Sequence, residues 1–251
     1  MTDSAAASPP TLLAVGAGDA IGAAVARRFA EGGYAVAVAR RDAAKSSELI
    51  EEIKARGGAG RAFSVDARDE EQVIALFAEV ERTVGPIEVC LYNAGANARF
   101  PIAETTADMF HKIWQLGCFG GFLTGREAAR YMVPRGKGTI LFTGATASLR
   151  GGSGFAAFAS AKFGLRAVAQ SLARELGPQG IHVAHLVIDG GVDSPVVHAR
   201  RRAAAGDETL AFEPDSLMNL TSIAEAYWML SQQSRDAWTH ELDIRPYMEP
   251  W

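Results

Sequence analysis

Seven short apolar runs recur along the chain, each separated from the next by a longer segment, and this rhythm constrains the fold more than any other feature. The runs are TLLAVG (11–16), YAVAVA (34–39), RAFSV (61–65), IEVCLY (87–92), GTILFT (138–143), IHVAHLVI (181–188) and HELDI (240–244). Strands that are apolar on both faces belong in a parallel sheet covered on both sides. The intervening segments carry apolar residues at helical spacing, as in Val73, Phe77, Val80 and Val84, or Ile223, Tyr227 and Leu230. The alternation predicts an α/β fold: one doubly wound parallel sheet of seven strands with helices on both faces, and ligands at the carboxyl ends of the strands. No linker or internal repeat interrupts it, so residues 11–251 read as a single domain behind a disordered leader, MTDSAAASPP, at 1–10.

With 251 residues, 48% of them hydrophobic, the chain can bury a substantial core without a structural metal. A net charge of −4 argues against nucleic acid as a partner. The one dense basic run, HARRRAAAG at 198–206, reads as a solvated helix or a flexible loop. Cys90 and Cys118 lie in apolar surroundings without a metal-ligand pattern, which predicts buried free thiols in a reducing compartment. No stretch approaches the roughly 18–20 apolar residues of a membrane span. A cytoplasmic protein that does not engage a membrane is expected.

GAGDAIG follows the first strand directly and opens a helix. Gly16 can turn tightly, Gly18 and Ala20 let the backbone approach a pyrophosphate, and Gly22 lets the helix pack on the strand. The free N–H groups of the helix start, from Ile21 on, would then meet the phosphates of a dinucleotide. At the end of the second strand Arg40 and Arg41 stand where an acidic residue would bind a ribose 2′-hydroxyl, which favours NADP over NAD. Asp19 pulls the other way by placing negative charge nearby, and the arginines can also be read as a solvated loop pair.

These residues resemble the short-chain dehydrogenase/reductase family over nearly the whole chain. GAGDAIG is similar to that family's TGxxxGxG turn, with Val15 and Ala20 as departures, and YNAG (92–95) resembles its NNAG, with Tyr92 replacing the first asparagine. The resemblance implies a Rossmann-type NAD(P)-binding domain in which Asp66 and Ala67 lie beside the adenine, and Asn93, Ala94, Gly95 and Thr143 beside the cofactor. It also implies that Val192 and Ser194 frame the nicotinamide carboxamide. Members usually transfer hydride with an Asn, Ser, Tyr and Lys set, in which the tyrosine is the acid and the lysine holds the nicotinamide ribose. Only the lysine survives here, as Lys162; the other slots fall on Gly117, Ala145 and Phe158. The combination resembles a divergent branch with a degenerate active site.

Three readings of Phe158 stay open. An NAD(P)-dependent oxidoreductase could reduce an activated C=C or C=O bond of a small apolar substrate without an acid at that position, and the acid that some enoyl reductases place seven residues before the lysine is missing too, as Phe155. Another residue could supply the proton: Asp189, at a strand's carboxyl end where the family has proline, is the candidate, ahead of Ser148, Ser153, Ser160, His182 and His185. Its second reading is a turn or cap residue. In the third, the fold binds the cofactor as a sensor or scaffold subunit without turnover. Ala145, Phe155 and Phe158 would line the substrate pocket, and the long 195–220 segment, with Phe212, would close over it. The resemblance implies a homodimer or homotetramer, with Trp251 in an apolar tail at an interface.

Overall fold

The computed structural model describes residues 9–249, so most of the expected leader and Trp251 lie outside the described residues. The strands are β1 (Thr11–Val15), β2 (Ala35–Arg40), β3 (Gly60–Ser64), β4 (Ile87–Tyr92), β5 (Gly138–Thr143), β6 (Ile181–Ile188) and β7 (Glu241–Ile244). They form one sheet in the order β3-β2-β1-β4-β5-β6-β7. Every pairing is parallel. The chain reverses its winding between β1 and β4, so the carboxyl ends of these two strands flank a crevice where such sheets take ligands.

The helices are α1 (Ile21–Glu31), α2 (Ser47–Ala55), α3 (Glu70–Thr83), α4 (Ala107–Trp114), α5 (Gly120–Met132), α6 (Ala156–Leu176), α7 (Pro195–Ala205) and α8 (Leu220–Ser231). They cover both faces of the sheet. On one, Phe77, Tyr92, Leu123, Phe142 and Leu165 share a core with the sheet. On the other, Phe29, Val36, Ile223 and Tyr227 do. Burial of each such side chain contributes about 1.5–3 kcal/mol, which is why strands apolar on both faces commit to this architecture. None of the helices among the described residues is long and apolar enough to cross a membrane.

One boundary differs from the sequence expectation and one open alternative resolves to a helix, both in ways that bear on function. β2 extends through Arg40, so that residue's backbone is fixed by the sheet. The basic run at 198–206 is the body and end of α7, closed by Gly206 in the left-handed region (φ 64°). After α7 the chain runs without regular structure until Met218 pairs with Val192 in an isolated bridge.

α4 and α5 are joined by a single π-helical turn, Gln115–Phe119. The extra residue in that turn releases backbone groups from ordinary helical pairing. Tyr92 meets one of them: its hydroxyl donates to the Leu116 carbonyl. Gly120 and Gly121 make room for the ring, since a Cβ at Gly120 would lie 2.4 Å from the Tyr92 hydroxyl and one at Gly121 3.2 Å from its ring.

Candidate active site at the carboxyl edge of the sheet

The glycine turn divides into packing and open positions. Gly16 has φ +78°, and a Cβ there would lie 2.5 Å from the Ala94 nitrogen, so β1 and the loop after β4 close on each other at that point. A Cβ at Gly22 would lie 2.5 Å from Ala17 Cα, which holds the start of α1 against the turn. Gly18 has no atom within 4 Å of its Cβ position. Next to it, α1 begins at Ile21 with Ala20 as a cap that offers no side-chain acceptor. An open backbone surface therefore lies beside uncapped helical N–H groups, which is the arrangement a phosphate needs.

Asp19 and Arg40, which the sequence sets at odds, form an ion pair, with Arg40 Nη1 2.5 Å from Asp19 Oδ1. Asp19 is mostly exposed, so the carboxylate folds over from the turn to reach a guanidinium anchored in β2. Arg41 lies on the surface just beyond. Asp66 makes a two-pronged pair with Arg68 (2.9 and 2.6 Å), which holds its carboxyl below the usual carboxylate range. Ala67 is buried next to it.

Between turn and helix α6 runs a chain of buried hydrogen bonds. Asn93 Nδ2 donates to the Gly16 carbonyl (3.2 Å), Thr143 Oγ1 donates to Asn93 Oδ1 (2.9 Å), and the Tyr227 hydroxyl lies 2.6 Å from Thr143 Oγ1. With the threonine proton given to Asn93, the phenol is the donor in that last contact. Lys162, 4% exposed, donates to the Thr143 carbonyl at 2.7 Å. Burial lowers its pKa to about 8. Gly95 lies against the ammonium: a Cβ there would stand 3.3 Å from Nζ. Lys162 is thus no surface lysine.

Beyond Lys162 the surroundings turn apolar. Phe158 is buried in a cluster with Ile113, Cys118, Ala147 and Ala161, and Ala96, Ala98, Phe100, Ala145 and Phe155 pack on it while staying partly exposed. Lys162 Nζ lies 5.9 Å from the centroid of the Phe158 ring. Gly117, in the π turn, faces α6: a Cβ would come within 2.8 Å of Ala161 Cβ. The Ala145 amide donates to Ser148 Oγ (3.1 Å).

Ser148 leads to a second buried chain. Its hydroxyl lies 3.4 Å from His185 Nε2, His185 Nδ1 lies 3.1 Å from Glu241 Oε2, and Glu241 takes both prongs of Arg166 (2.7 and 2.6 Å). Burial drops the His185 pKa to about 4, so the neutral ring donates from Nδ1 to the carboxylate and accepts from the serine at Nε2. His182 faces the other side of the strand, stacked on Trp238 at 5.1 Å.

Asp189 is wholly buried and tied on both oxygens: Thr146 Oγ1 donates to Oδ1 at 2.5 Å and Arg245 Nη2 lies 3.1 Å from Oδ2. It joins the loops after β5 and β6 to the residue after β7 through side-chain contacts. Val192 is held by the bridge to Met218, and Ser194 caps α7 by accepting from the Val197 amide. α7 reaches across the crevice through Arg200, which donates to the Asn97 carbonyl (3.2 Å).

A model of the short chain dehydrogenase family matches residues 10–205. The chain belongs to the short-chain dehydrogenase family. It is 49% identical to a short-chain dehydrogenase of solved structure from Rhodopseudomonas palustris, with a TM-score of 0.81 over 95% of this chain and 99% of that one. Sorbitol-6-phosphate 2-dehydrogenase from Escherichia coli K12 is 32% identical over 188 residues, 73% of this chain and 72% of its own. A variant of actinorhodin polyketide ketoreductase, solved with NADPH, shares the fold with a TM-score of 0.86 over 97% of this chain and 98% of its own, at 21% identity.

Of the residues expected at the site, the structure brings Gly16, Gly18, Asn93, Ala94, Gly95, Thr143 and Lys162 to one edge of the sheet. Sequence reasoning missed Tyr227 as a polar partner and the Ser148–His185–Glu241 chain. A tyrosine amid the apolar positions of α8 was the available signal, because a buried phenol needs a partner.

Proposed function

We propose that this short-chain dehydrogenase is an oxidoreductase that binds NADP(H) in preference to NAD(H) and acts on an activated C=C bond of a small apolar substrate. The observation that carries this reading is Lys162, an ammonium buried with no carboxylate partner among the described residues and held on the Thr143 carbonyl. A charge desolvated in this way costs stability, and a ribose at the same edge gives it a use. The cofactor fits the chain: Gly18 is open where a pyrophosphate must approach, and Arg40 ends β2 with Arg41 just beyond it, where a 2′-phosphate would lie. Relatives of the same fold are solved with NADP and NADPH.

In this reading Lys162 binds the ribose hydroxyls, and the Asn93–Thr143–Tyr227 chain keeps the loop after β4 in register with β5. A bound nicotinamide supplies or accepts the hydride. Phe158 excludes water and the partly exposed Phe155 offers an apolar surface, and three nearby hydroxyls are otherwise engaged: Ser148 accepts from Ala145, Thr146 donates to Asp189 and Ser160 donates to the Ala157 carbonyl. Carbonyl reduction needs an acid on the developing alkoxide, whereas hydride added to a C=C carbon leaves the proton to arrive from elsewhere. The same lack of an acid favours a second reading, a cofactor-binding sensor without turnover. The reading also carries a cytoplasmic setting, no nucleic-acid or membrane partner, and a homodimer or homotetramer.

Calorimetric titration with NADPH and NADH tests it. NADPH binds more tightly than NADH; Lys162→Ala weakens both by roughly tenfold, the worth of a charged hydrogen bond. Asp19→Ala, by releasing Arg40, tightens NADPH about threefold and leaves NADH unchanged. No binding of either nucleotide at millimolar concentration overturns the proposal. Binding without turnover of any activated enone leaves the sensor.

A further inference from the structure

The rim of the apolar cluster around Phe155 carries a group of arginines that the reaction proposed above does not use. Arg99 stands on the loop after β4, folded against Gly154, whose left-handed backbone (φ +81°) and missing side chain leave 2.8 Å between its Cβ position and Arg99 Cγ. Its guanidinium lies 5.9 Å from the centroid of the Phe155 ring. Arg200 reaches from α7 to the Asn97 carbonyl, two residues from Arg99. Arg201, the next residue of α7, lies against Gly191, with Nη2 2.6 Å from that glycine's Cβ position.

None of these three has a carboxylate within ion-pair distance among the described residues. Two acids on the same loops are engaged elsewhere, Asp193 with His198 at 2.8 Å and Asp189 with Thr146 and Arg245, while the Glu249 carboxylate lies against Gly190. Arg150 adds a fourth positive charge, 3.5 Å from Asp189 and half exposed. In a chain whose net charge is −4, guanidinium groups without a carboxylate partner on the loop after β4 and on α7 favour an anion between them. The cofactor's phosphates do not meet this need, because the glycine turn and Arg40 belong to β1 and β2, while the rim belongs to the loops after β4, β5 and β6. Directly beneath the rim lie the partly exposed Ala96, Ala98, Phe100 and Phe155.

We infer that the substrate is amphipathic: an apolar body that lies on the Phe155–Phe158 surface and ends in an anionic group, carboxylate or phosphate, held by Arg99 and Arg200. The inference rests on the small-molecule oxidoreductase reading for its location and adds the chemical class.

Octanoate, octyl phosphate and octan-1-ol, titrated calorimetrically into the intact protein with and without NADPH, test it. At least one anionic probe binds about tenfold or more tightly than the alcohol, and the stronger of the two identifies the head group. The Arg99→Ala/Arg200→Ala variant, altered only at exposed positions, loses that preference and leaves octanol binding unchanged. Raising salt from about 0.05 to about 0.5 M weakens the anionic probes alone. Equal affinity for the three probes, no saturable binding of any, or an anion preference that survives the double variant overturns the inference. If NADPH fails to bind while octanoate still does, the cofactor reading falls and this one stands; if NADPH binds and the anion preference is absent, only this one falls.

Discussion

Lys162 carries a cost that can be measured. Its pKa falls from 10.5 to about 8 because burial penalises the ammonium, so the unfolded chain binds more protons than the folded one between those values. Stability therefore rises as pH increases through that window, and below pH 8 the penalty is present in full. At 1.36 kcal/mol per unit it amounts to about 3 kcal/mol. Lys162→Met, similar in shape and uncharged, is expected to be more stable than the parent by about that order at pH 7, with the advantage shrinking toward pH 10. Chemical denaturation at pH 7 and 10 measures both values, and a variant less stable at pH 7 contradicts the account. Lys162 was legible because a short-range pattern, the AFASAK stretch, names it. Tyr227 was not, since its partner Thr143 lies 84 residues away and only the folded sheet brings them together.

At the scale of elements, the joined α4 and α5 explain why the asparagine slot holds glycine. A Cβ at Gly117 meets Ala161, one at Gly121 meets Leu165 at 2.2 Å, and one at Gly125 meets Leu172 at 2.7 Å, all on α6. At Gly121 and Gly125 the contact is with the movable end of a leucine, whereas at Gly117 it is with the fixed Ala161 Cβ, so a side chain there must push the helices apart. Restoring asparagine alone, Gly117→Asn, is expected to cost about 1–3 kcal/mol through overpacking. The double variant Gly117→Asn/Ala161→Gly relieves the direct clash and recovers part of it, although glycine inside α6 costs about 1 kcal/mol itself. Thermal unfolding of both variants checks this, and a single variant as stable as the parent contradicts it. The strands were legible almost to the residue because burial on both faces imposes an unbroken apolar run. The π turn was not, since no residue type marks it and the Tyr92 hydroxyl that satisfies its Leu116 carbonyl lies 24 residues away.

For the molecule as a whole, the fold class followed from alternation alone, but the way the sheet's last edge is secured did not. β7 is only four residues long, and its side chains are at best half-buried. What locks it is the part-buried chain in which Glu241 of β7 binds Arg166 of α6 and His185 of β6, with His185 reaching Ser148 beside Ala147 of the Phe158 cluster. His185 has a folded pKa near 4 against an ordinary 6.5, again through burial. The unfolded chain takes up its proton first as pH falls, so stability is retained above 6.5 and lost progressively between 6.5 and 4. Glu241 works in the same direction: burial alone would raise its pKa, but Arg166 and His185 hold it low, so it too resists protonation in the folded state. Denaturation midpoints taken from pH 7 down to 4.5 should show a loss of about 2 kcal/mol or more. His185→Asn, which keeps a polar group but cannot titrate, should flatten most of that slope while lowering stability at pH 7. Because the chain ends at Ser148 and the Ala145 amide, the acid transition is also expected to loosen the Phe158 wall, read as a fall in probe binding before global unfolding. A parent slope that persists unchanged in His185→Asn would show that other groups govern acid stability and that the β7 edge is held by backbone pairing alone.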